Sequence, residues 1–129
     1  MLYPFPNKRH LCSELVSVAC ANGSEGPKVV LGNLEEIGEW SALVLSQVPI
    51  WPGSDVHLRG KGPELQGLVE SCVREDQLGF FITLRLNPAS RWSKQWFAPE
   101  HLLELPGYDE SLSAEPPSKA YPLRVASGY

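Results

Sequence analysis

Reactive chemistry in this chain would have to come from three histidines, three cysteines and one lysine-bearing glycine turn. His10, His57 and His101 are scattered and share no metal-ligand spacing with Cys12, Cys20 and Cys72, so no metal is expected. The cysteine count is odd, no C-x-x-C pair exists, and the flanking residues are apolar or strand-like. Reduced, buried thiols acting as small hydrophobes are therefore expected. Gly60-Lys61-Gly62 is followed by Pro63 and heads an alternating run rather than a helix, which excludes a phosphate loop. No nucleophile-elbow pattern appears. Neither an enzyme nor a cofactor is expected.

What remains is recognition. The cationic run Lys8-Arg9-His10 is ordinarily solvated surface, and Asn33 and Gly38 are ordinarily turn residues. Trp92 and Trp96, four apart, suit the covering of a core end better than a binding platform. Trp40, Trp51 and Phe81 offer stacking faces of the kind a small oligonucleotide-binding barrel uses. The net charge of -4 counts against that class, since nucleic-acid binders present a basic face.

The elements that must position these residues are strands. With 129 residues, 43% of them hydrophobic, one core is affordable and two are not. No apolar run reaches the roughly 20 residues of a membrane span, and the N-terminal stretch Met1 to Pro6 lacks the pattern of a signal peptide. A cytoplasmic location is the expectation.

Alternation and turn punctuation predict six strands. The first runs over Leu11 to Ala21, the second over Lys28 to Leu34, and the third over Trp40 to Val48, the last reading as buried on both sides. Pro49-Ile50-Trp51-Pro52-Gly53 imposes a corner. Asp55 to Arg59 is the fourth strand and Gly79 to Leu86 the sixth. In the fifth, Leu65 to Val73, strict alternation puts Leu65, Gly67, Val69, Ser71 and Val73 on one face, with Leu68 and Cys72 on the other. Spacing of about ten residues per strand implies an all-β, six-stranded antiparallel barrel. Beyond Asn87-Pro88, Trp92, Trp96, Phe97, Leu102 and Leu103 predict a short C-terminal helical segment with Ser90 as its N-cap. The expected organisation is an N-terminal arm over residues 1–10, a barrel over 11–105 and a proline-rich tail over 106–129.

A barrel of this order, with Arg9 before its first strand and Asn33-Leu34-Glu35-Glu36-Ile37-Gly38 ending its second, resembles a PilZ domain over about residues 7 to 105. Pro52-Gly53-Ser54-Asp55-Val56-His57-Leu58, Leu65-Gln66-Gly67-Leu68-Val69 and Leu78 to Leu84 are similar to the family's later strands. The resemblance implies a PilZ-like barrel, a signalling role and a ligand, the bacterial second messenger cyclic di-GMP. It implies two motifs, R-x-x-x-R before the barrel and [D/N]-x-S-x-x-G after the second strand. Arginine suits such a ligand because its planar guanidinium chelates phosphate or a guanine edge and stacks on a base.

Carried over, the ligand-binding positions are Lys8, Arg9, Asn33, Glu35 and Gly38. Asn33 and Gly38 keep the ends of the second motif, while Glu35 replaces its serine and Phe5 stands where the first arginine belongs. Lys8 and His10 supply nearby charge without the guanidinium fork. Glu35 is expected on the surface, the alternative being a partner for Arg9. A carboxylate about 4 Å from a phosphate costs on the order of 4 kcal/mol at an effective dielectric near 20, roughly three decades of affinity. The resemblance therefore implies a non-catalytic interaction domain with weak or no cyclic di-GMP binding and a protein partner. The alternative is a functional cyclic di-GMP receptor. Neither nucleic acid nor membrane is an expected partner.

Overall fold

The computed structural model describes residues 9–20 and 27–103. Six strands form: β1 (Arg9–Cys20), β2 (Lys28–Gly38), β3 (Ser41–Ser46), β4 (Asp55–Arg59), β5 (Leu65–Glu75) and β6 (Gly79–Leu86). All neighbours are antiparallel, and the order β1-β2-β3-β6-β5-β4 closes into a barrel. The alternation expected of half-buried strands holds where it is regular. Val16 and Val18 on β1, Val56 and Leu58 on β4, and Ile82, Leu84 and Leu86 on β6 all point inward. β3 is covered on both sides, with Ala42, Leu43 and Val44 buried. Burying each such side chain contributes about 1.5–3 kcal/mol.

Three β-bulges interrupt the alternation, on β1 between Leu11 and Glu14, on β2 between Leu34 and Glu36, and on β5 between Val69 and Ser71. The β5 bulge overturns the single face expected for that strand. An extra residue reverses the parity of everything after it. Leu65, Gly67 and Val69 stay inside, but Val73 is thrown outward to 53% exposure and Cys72 packs against the core instead.

The proline pair does impose a corner after β3: Gly53 takes φ +92° and its N–H donates to Val69 O at 2.8 Å, while Ile50 is buried beneath it. At the β5–β6 turn Gly79 takes φ +124°, and a Cβ there would stand 2.4 Å from Ser46 O.

Among the described residues the expected C-terminal helical segment is not found. One 3-10 turn, Pro88–Ser90, follows β6, with Asn87 rather than Ser90 at its N-cap. Ser90 is buried and its hydroxyl accepts the Gln66 N–H at 2.8 Å. Residues 91–103 form a strap without helix because their main chain bonds outward to the barrel. Trp92 N–H donates to Glu39 O at 3.0 Å, Ser13 N–H to Glu100 O at 3.1 Å, and Leu103 N–H to Leu11 O at 2.8 Å. Pro99 has no N–H to give a helix. The capping role expected of this segment holds for Trp92, which is buried in the core with Phe97 and Leu102 packed against it, but not for Trp96, which is 40% exposed.

Candidate functional site

The two segments singled out in the sequence lie side by side. Arg9 is opposite Gly38 and His10 opposite Ile37, so the start of β1 and the end of β2 make one surface. The bulges of β1 and β2 face each other at this level, and the irregular backbone crowds carboxylates together. Asn33 Nδ2 donates to Glu35 Oε2 at 2.7 Å. Ser13 Oγ donates to Asn33 Oδ1 at 3.4 Å and accepts from Nδ2 at 3.3 Å. Glu36 is buried, and its carboxylate lies 3.8 Å from the Arg9 guanidinium. Glu35 is therefore half-buried and bonded to Asn33, and the ion partner of Arg9 is the neighbouring Glu36. Lys8 and Phe5 lie outside the described residues.

This surface is acidic where an anion binder would be basic. Cys12, between the bulges, reports the field: burial pushes its thiol up to about 12, and the charges of Glu14, Glu35 and Glu36 add to the rise. Its Sγ donates to Leu34 O at 3.6 Å. Both Cys12 and Cys20 are buried, Cys72 is half-buried, and all three are free thiols.

Glu14 escaped the sequence reading altogether. The β1 bulge turns it inward, where it is 5% exposed. Its Oε2 accepts the Lys61 N–H and its Oε1 the Glu100 N–H, each at 2.8 Å. A Cβ on Gly60 would stand 1.9 Å from Glu14 Oε2, so a glycine there is what admits the carboxylate. Lys61 and Glu100 also form an ion pair. One buried carboxylate thus ties the β4–β5 turn and the strap to β1.

No protein-family model and no curated protein matches the chain.

Between His10 and the strap opens a cavity of about 420 Å³, lined by His10, Glu39, Arg91, Trp92, Ser93 and Lys94. His10 sits edge-on to Trp92, with ring centroids 5.5 Å apart. Arg91 pairs with Glu39 and lies 5.1 Å from the centroid of the Trp40 ring. Both attachments hold its guanidinium in place. Arg91 and Lys94 were not among the expected site residues. The strap brings them to the β2–β3 turn, some fifty positions away in sequence, and no local pattern announces that closure. Of the three aromatic faces considered for stacking, Trp51 is exposed, Trp40 is covered by Arg91 and Phe81 is half-buried. Among the described residues no group of His, Cys, Asp and Glu is placed to hold a metal.

Proposed function

We propose that this chain is a non-catalytic, PilZ-like signalling and interaction domain that binds cyclic di-GMP weakly or not at all. The observation that carries the reading is the 2.7 Å bond from Asn33 Nδ2 to Glu35. The donor that a guanine edge would use is already engaged, and the carboxylate engaging it repels phosphate. The buried Glu36 beside Arg9 adds to the same acidic field. The core cluster is apolar and the two buried carboxylates, Glu14 and Glu36, are each engaged by a partner, which supports recognition of a protein rather than turnover of a substrate.

The 420 Å³ cavity favours the second reading, a working receptor, because His10, Arg91 and Lys94 line it. Calorimetric titration with cyclic di-GMP at low salt separates the two. The unmodified chain is expected to give no heat of binding at tens of micromolar, and the Phe5→Arg/Glu35→Ser double variant to gain measurable affinity. Glu35→Ser alone is expected to give part of that gain, since it removes the charge and frees Asn33; the two changes need not add. Submicromolar binding by the unmodified chain overturns the proposal in favour of the receptor.

A further inference from the structure

The barrel closes along only part of its longest hairpin. β3 pairs with β2 from Gly32 to Ile37, yet β2 begins at Lys28. Over Lys28 to Leu31 the strand is paired on one side by β1, which β4 backs in turn. Among the described residues nothing is bonded to the other side of this stretch. A free strand edge presents unpaired main-chain donors and acceptors to any extended chain.

The side chains on this edge suit a partner strand. Val29, Val30 and Leu31 are consecutive residues of high strand preference. Val29 and Leu31 are each 65% exposed, and Leu15, diagonal to Leu31 on β1, is 66% exposed. Their cross-strand neighbours Ala19 and Ser17 are small, so nothing in the barrel shields them. No ionisable group interrupts the run from Val29 to Leu31. Natural edges are usually blunted by an inward charge, a proline or a bulge, and this one has Pro27 and Lys28 only at its outer end, before the apolar run begins.

We infer that the Val29–Leu31 edge of β2 pairs antiparallel with the same edge of a second copy of this chain, across a two-fold axis near Val30. This rests on the interaction-domain reading and names the partner. The occupant follows from the register. A two-fold through Val30 sets Val29 of one copy opposite Leu31 of the other, and the reverse, so every exposed apolar side chain on the edge gains an apolar cross-strand partner. It also keeps the two Lys28 side chains away from each other. The ladder is short, and with the flanking Leu15 it buries less than the roughly 1,200 Å² of a standard interface. The dimer is accordingly weak, with a dissociation constant on the order of 100 µM.

The full chain is tested by sedimentation velocity over a concentration series up to about 1 mM, a range that brackets a constant of this size. The unmodified chain is expected to move from 14.3 kDa toward twice that mass. A Val29→Glu/Leu31→Glu variant is expected to stay monomeric, and so is Val29→Lys/Leu31→Lys. An equimolar mixture of the two is expected to associate again, because the register puts glutamate opposite lysine. Unchanged circular dichroism and melting midpoints establish that both variants fold. An unmodified chain that stays monomeric at the highest concentration overturns the inference, and a reader of extended foreign peptides then becomes the better account of the edge. Undiminished association of either charged variant, or a mixture that stays monomeric, overturns this edge as the interface. The outcome is independent of the nucleotide titration. A monomer that ignores cyclic di-GMP sinks the dimer alone, and a dimer that binds it tightly sinks the functional reading alone.

Discussion

The β1–β2 hairpin is one ladder with two halves that treat polarity in opposite ways. In the half from Arg9 to Glu14 and Leu34 to Gly38, both strands bulge and carboxylates gather. Almost every polar group there has found a partner: Glu35 on Asn33, Glu36 on Arg9, and Glu14 on two backbone amides. In the half from Leu15 to Cys20 and Lys28 to Asn33 the register is unbroken, and Leu15, Val29 and Leu31 face solvent. Regular pairing leaves side chains strictly in or out, so apolar residues on the outer parity have nowhere to hide. Bulging gives up ladder bonds, and the freed groups are taken up by the strap and by inward side chains. The irregular half is closed on itself, while the regular half is open to a partner.

The largest test of this contrast is chemical. If the bulged half is sealed, the Cys12 thiol, pushed from 9.0 to about 12, holds roughly a thousandfold less thiolate at pH 8 than a free cysteine, and thiolate is the reactive form. Cysteine-resolved alkylation followed by mass spectrometry is expected to label the half-buried Cys72 readily and Cys12 only after denaturation. Rapid labelling of Cys12 in the folded protein would mean that the bulged half opens freely.

Next in size is the loss of Glu14. Replacing it with leucine strands the Lys61 and Glu100 amides and removes two charge-assisted bonds, at an expected cost of about 3 kcal/mol. Urea unfolding monitored by tryptophan fluorescence measures it. A cost comparable to that of an ordinary surface change, under about 0.5 kcal/mol, would show that the strap is held without Glu14, by Trp92, Phe97 and its main-chain bonds to the barrel.

The smallest effect is on acid sensitivity. The hydrogen bond from Lys61 holds the Glu100 carboxyl below its usual value. A carboxyl with a depressed folded value adds stability above its unfolded value, and that stability drains away as pH falls through the folded one. The pair is exposed, so solvent screens most of its contribution. Comparing acid unfolding of the unmodified chain with that of Lys61→Met is expected to show the unmodified chain slightly more stable near neutral pH, with the difference vanishing as the pH falls through the carboxylate range. Identical acid profiles would leave the backbone amide bonds as the whole of this tie.

What could be read in the residues divides along the same line. β4 and β6 form where alternation and turn residues placed them, over Asp55–Arg59 and Gly79–Leu86, because a regular strand writes its parity into the sequence. A bulge writes nothing: Val69-Glu70-Ser71 looks like any strand, and so Val73 was expected on the wrong face. The same blindness hid Glu14, a carboxylate at an inward position that only the β1 bulge and Gly60 make tenable. Asn33, Glu35 and Gly38 were legible as a group because they share one strand. Arg91 and Lys94 were not, since their place beside His10 depends on the strap crossing the barrel. The expected helix failed for a related reason, as amides that a helix would have kept were taken by Glu39 and Glu14.

The bond from Leu103 N–H to Leu11 O also brings the two ends of the described barrel together. Leu11, near the start of β1, and Leu103, at the end of the strap, lie within one strand spacing of each other at the same rim of the barrel. A domain with adjoining gateways behaves as a plug-in module. It can be set into a loop of a host protein, or strung in tandem, without prying the host apart.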